Sequence, residues 1–185
     1  MHLCRGTHGH GCPVENITDK AEPFAALDRI AGELGWPVYI AGDMNAPTSG
    51  AEFRTHRDPG CRHLGVLTRP ALAYCMRRAA IYALPARYEP FGLSVLEAAA
   101  SGCALVLGRI PSLLENWHDA ALFVEPGDAA ALQLELARLI ANPAHRQQLG
   151  AAARLRAQAF SAAHMADGYL DTYGERREAH RHTGR

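Results

Sequence analysis

"AIYALPARYEPFGLSVLEAAASGCALVLG", residues 80–108, is the stretch whose reading decides the fold. Residues 80–85 form a short apolar run closed by Pro85, which suits a strand buried on both faces. From near Phe91 the spacing becomes helical, and Gly102 stops it. "ALVLG" (104–108) is then a second buried strand. Strand, helix and strand in that order, with no hairpin signal between them, predict parallel strands joined by a crossover helix.

The same alternation continues on both sides. Upstream, Phe24, Leu27, Ile30, Ala31 and Leu34 follow helical spacing until Gly35. "PVYIAGD" (37–43) reads as a strand and "RHLG" (62–65) as a weaker one. Thr68 and Pro70 open a helix that runs to about Ala79. Downstream, "IPSLLENW" reads as one or two helical turns and "ALFVE" (121–125) as a strand. Asp128 caps a helix that Asn142-Pro143 interrupts, and the next helix runs to about Phe160. Ser161 opens a last helix through Tyr173. The expected fold is α/β: a Rossmann-like parallel sheet with helices on both faces. Residues 1–21 are expected to be irregular, 22–175 to form the domain, and 176–185 to be a charged tail.

Composition sets the limits. The chain has 185 residues, 48% of them hydrophobic, which is enough for one domain with a real core. Nineteen basic residues balance nineteen acidic ones, so net charge gives no bias toward nucleic acid or an anionic membrane. No run approaches the roughly 18 apolar residues of a membrane-spanning helix. Five scattered cysteines, with no leader-like apolar start, predict a cytoplasmic protein, with peripheral membrane association left open. Cys4, His8, His10 and Cys12 have metal-binding side chains, but their spacing matches no common zinc site, so no metal is expected.

The loop after strand 80–85 lies where open α/β sheets bind ligands. A helix starting near Phe91 presents unpaired N–H groups to an anion, and Gly92 lets a ligand approach the backbone. Glu89 precedes that helix and Glu97 lies two turns into it. They are placed to grip different parts of one ligand that offers adjacent hydroxyls, such as a nucleotide sugar. The alternative is that Glu89 caps the helix electrostatically and Glu97 is solvated.

Residues 86–128 resemble the nucleotide-sugar half of the family 4 retaining glycosyltransferases. The resemblance is carried by Glu89, Phe91-Gly92-Leu93, Glu97 and Ala100-Ser101-Gly102, and more weakly by residues from about Phe24 to Tyr173. It implies one half of a GT-B fold, the C-terminal donor-binding domain. It also implies that Glu89 bonds the donor sugar and is the catalytic candidate, that Glu97 holds the ribose, and that the amides of Phe91, Gly92 and Leu93 hold sugar and distal phosphate. The donor would be a nucleoside-diphosphate sugar, with no obligatory metal or other cofactor. Aligned on "FAALDRI", the family's diphosphate-binding Arg and Lys fall on Asn16 and Glu22, so Lys20 and Arg109 are the candidate replacements. The acceptor-binding half has no counterpart in the chain. The resemblance therefore implies an incomplete enzyme served by a separate acceptor domain or by self-association, or else a non-catalytic nucleotide-sugar-binding module.

Overall fold

A computed structural model of the protein describes residues 2–4, 21–42 and 61–161. In chain order the elements are β1 (His2–Cys4), α1 (Ala21–Ala31), β2 (Val38–Ile40), β3 (Cys61–His63), α2 (Arg69–Arg78), β4 (Ala79–Leu84), α3 (Leu93–Ala100), β5 (Ala104–Gly108), α4 (Pro111–Trp117), β6 (Ala121–Val124), α5 (Ala129–Ala141) and α6 (Pro143–Gln158). The helix expected over 161–173, the charged tail, Lys20, Asp43 and the Cys4–Cys12 side chains lie outside the described residues.

One six-stranded sheet runs in the order β3-β2-β1-β4-β5-β6. β2–β3, β4–β5 and β5–β6 pair in parallel, while β1 is antiparallel to both β2 and β4. Two reversals restore direction, so the other five strands all point the same way and share one carboxyl edge. Residues 2–4 correct the expectation of an irregular start: no strand period is legible in so short a run, yet these residues pair with a strand on each side. They also make the sheet mixed at one position.

Every residue of β5 is buried, and so are five of the six in β4. Neighbouring residues on a strand point to opposite faces, so helices must cover both. Ile81, Tyr82, Leu105, Leu107, Trp117 and Leu136 are among the largest fully buried side chains of this core. On α5, Leu132, Leu136 and Leu139 are buried together, whereas Leu134 is half exposed, as helical spacing requires.

Local signals fix the ends of the elements. Asp128 accepts the Ala131 amide at 2.9 Å to cap α5, and Asn142 accepts that of His145 at 3.0 Å to cap α6. Arg146, almost wholly buried, donates to the carbonyls of Leu139 and Ile140 at 2.6 and 3.1 Å. It thereby places positive charge at the carboxyl end of α5 and stacks on Trp36 with 4.9 Å to the ring centre. Cys61 and Cys103 are buried thiols, and Cys75 in α2 is disulfide-bonded. That bond departs from the expectation drawn from the cysteine count, since disulfides persist mainly in oxidising compartments.

Candidate functional site

The loop 85–92 leaves the carboxyl end of β4, beside the point where the strand order reverses between β1 and β4. Such reversals open a crevice at the edge of the sheet. Gly108, closing β5, lies against the Ala86 carbonyl so tightly that any Cβ there would collide with it. The loop is thus seated directly on the neighbouring strand.

Helix α3 begins at Leu93, two residues later than the sequence reading, because Gly92 is left-handed, with φ +81° and ψ 53°. This turn swings the amides of residues 91 and 92 toward the preceding carboxylate. Glu89 Oε1 accepts from Gly92 N at 2.9 Å and from Phe91 N at 3.4 Å. Both bonds fall on the same oxygen, so Oε2 meets no donor among the described residues. The Ser112 hydroxyl in α4 donates to the Glu89 carbonyl at 2.5 Å, which fixes the backbone from the other side.

Two further contacts hold this loop. Tyr82 Oη donates to Ser94 Oγ at 2.8 Å in the core, tying the first turn of α3 to β4. The Phe91 ring meets Phe160 edge-on at 5.8 Å, and Phe160 lies 5.5 Å from Trp117. Arg156 stacks on Phe160 at 5.6 Å and donates to the Asn116 carbonyl at 2.8 Å, locking the end of α6 to α4. Ser112 and Phe160 were not legible as parts of a site. Nothing in sequence spacing brings positions 20 to 70 residues apart onto one loop.

Of the residues named from sequence, the structure brings Glu89, Phe91, Gly92 and Leu93 together in one turn, with Glu97 exposed farther along α3. Two of the three amides expected to face a ligand are held by Glu89, so this carboxylate organises the loop. Tyr88, Phe91 and Leu93, close to it in sequence, are exposed. Arg109 stands at the end of β5 and pairs with Glu125 at 3.0 Å, with both side chains more than half exposed. An ion pair that open to water contributes at most about 1 kcal/mol, so Arg109 can be drawn to another anion at small cost. Arg87 sits against the turn before α5, where a Cβ on Gly127 would lie 2.6 Å from its guanidinium.

Comparison with known proteins bears on the family and the fold. The model of the family described as "Glycosyl transferases group 1" matches residues 37–156, more than half of the chain. The chain is 38% identical over 140 residues to a glycogen synthase of Mycobacterium tuberculosis, covering 73% of this chain and 34% of the relative. It is 28% identical over 132 residues to the O-antigen chain mannosyltransferase B of Escherichia coli, covering 71% and 33%. Among solved structures, a sucrose-phosphate synthase from Thermosynechococcus elongatus superposes with a TM-score of 0.75 at 24% identity, over 91% of this chain and 45% of that one. The Anabaena protein HepE, solved in complex with UDP-glucose, gives a TM-score of 0.69 at 14% identity, over 88% and 48%. The chain thus spans about a third of the length of these curated relatives.

Proposed function

We propose, from the premise that the chain belongs to the group 1 glycosyl transferases, that it is their donor-binding half and takes a nucleoside-diphosphate sugar at the β4–α3 loop. The observation that carries this reading is the clasp of Glu89 on the amides of Phe91 and Gly92 at the carboxyl edge of the sheet. The clasp fixes a carboxylate with one oxygen turned away from the backbone, suited to paired sugar hydroxyls. Glu97, exposed on α3, takes the ribose. The amides of residues 91–93 share their donors between Glu89 and the distal phosphate. That HepE was solved with UDP-glucose supports this class of donor.

The proposed reaction is family 4 transfer with retention, in which fixed dipoles and basic side chains stabilise the departing diphosphate. The chain's own role is to bind, orient and neutralise. Glu89 holds the sugar at the reacting carbon, and Arg109, released from Glu125, approaches the phosphates, with Lys20 as a second cation. Positioning an acceptor takes a second wall, so turnover needs an acceptor-binding domain, whether a separate one or a second copy. No helix among the described residues is long and apolar enough to cross a membrane. We place the protein in the cytoplasm or at a membrane surface, with the Cys75 disulfide as the feature that argues otherwise.

A second reading is a binding module without turnover. It is favoured by the pairing of Arg109 with Glu125 and by an acid, Glu22, at the family's lysine position. Incubation with UDP-glucose, ADP-glucose and GDP-mannose, together with the acceptor-binding half of a relative supplied in trans and that relative's acceptor, with products followed by NMR, separates the two. Release of nucleoside diphosphate with an α-configured product supports retaining transfer. Donor binding without product supports the module.

A further inference from the structure

A second group of reactive side chains stands away from the β4–α3 loop, at the β3 edge of the sheet. Three strand spacings, roughly 14 Å, separate β3 from β4. Cys61 and His63 are two apart on β3 and so project from one face, and Asp28 reaches them from α1. One ligand atom from each residue lies within 4.8 Å of the other two. His63 Nε2 is 3.5 Å from Asp28 Oδ1, with side-chain exposures of 22% and 15%, and Cys61 is buried.

Hydrogen bonding singles out this spot. Among the described residues, three buried side-chain N or O atoms lack a hydrogen-bond partner, and two of them, Asp28 Oδ1 and His63 Nδ1, belong to this cluster. Buried polar atoms are almost always satisfied, and an ion held by Asp28 Oδ1 would supply the partner that this atom lacks.

We propose that Asp28, Cys61 and His63 bind one divalent cation of the zinc type, through a carboxylate oxygen, a thiolate and imidazole Nε2, with water in the fourth tetrahedral position. Nitrogen and oxygen ligands about 2.1 Å from zinc at a tetrahedral angle are roughly 3.4 Å apart, against the 3.5 Å between Nε2 and Oδ1. The sulfur of such a site lies about 3.6 Å from the other ligands, so Cys61 closes by at most about 1.2 Å. Thiolate and imidazole select zinc over magnesium or calcium. The ion would pin α1 to the edge strand and couple metal binding to the stability of that side of the sheet. The site takes no part in glycosyl transfer.

The test uses the full chain, stripped with a chelator and titrated with ZnCl2 by calorimetry and with Co2+ by absorption. One equivalent should bind, with a thiolate-to-cobalt charge-transfer band that Cys61→Ser removes. Since even outer-shell changes weaken metal sites about 10- to 100-fold, Asp28→Asn and His63→Asn should each weaken binding by roughly 100-fold or more. His8→Ala with His10→Ala should leave it unchanged. Circular dichroism identifies the variants that fold, and either Asp28→Asn or His63→Asn alone suffices. Absence of stoichiometric binding, binding that survives both changes, or binding lost only with His8 and His10 would overturn the proposal.

Discussion

Replacing Gly92 with alanine strains the turn that presents the donor loop in two separable ways. At φ +81° an L-residue costs about 1–2 kcal/mol. The new Cβ would also stand 3.0 Å from Val95 Cγ2 and 3.3 Å from Leu113 Cδ2, both on fully buried side chains. Overpacking of this kind costs about 1–3 kcal/mol, for a total of about 2–5 kcal/mol. Gly102→Ala is the internal control. Gly102 has nearly the same φ, +84°, but a Cβ there meets nothing within 4 Å, so it should cost only the first part, about 1–2 kcal/mol. Urea unfolding with a shared m-value reads both, and Gly92→Ala should exceed Gly102→Ala by about 1–3 kcal/mol. Equal losses would refute the steric argument and, with it, the tight seating of the loop on α4. A donor affinity unchanged in folded Gly92→Ala would show that the left-handed turn does not shape the site.

Other consequences can be tested alongside. Tyr82→Phe should cost about 1–3 kcal/mol by leaving Ser94 unsatisfied, and adding Ser94→Ala should recover part of it, read as a double-mutant cycle in urea. Arg146→Met should cost about 2–3 kcal/mol, because charge-assisted bonds to the Leu139 and Ile140 carbonyls are lost along with the stacking on Trp36, and lysine should rescue only partly. Asp128→Ala should cost about 1 kcal/mol by uncapping α5, with donor binding unchanged. Alkylation of the denatured chain before and after reduction should expose Cys75 only after reduction. Labelling of Cys75 without reduction would restore the cytoplasmic expectation.

Sequence carried the parallel part of the fold because its signals are local. The runs at 80–85 and 104–108 are too apolar to be half exposed, and Gly102 and Asp128 punctuate helices by chemistry that acts within a few residues. β1 was not legible, since three residues carry no period and their pairing depends on strands 34 and 75 residues away. The site was legible in part for the same reason. Glu89, Gly92 and Glu97 form one contiguous motif, whereas Ser112 and Phe160 reach the loop only through tertiary packing. The clasp of Glu89 on two of the amides read as ligand-facing required knowledge of the Gly92 dihedral angles.

The central claim is tested most directly by calorimetric titration of the folded chain with UDP-glucose, ADP-glucose and GDP-mannose, in wild type and Glu97→Ala. A hydrogen bond to a charged group contributes about 1.5–3 kcal/mol, so the account predicts saturable binding of at least one donor, weakened roughly 10- to 100-fold by Glu97→Ala. Binding of none of the three, or binding indifferent to Glu97, would contradict it.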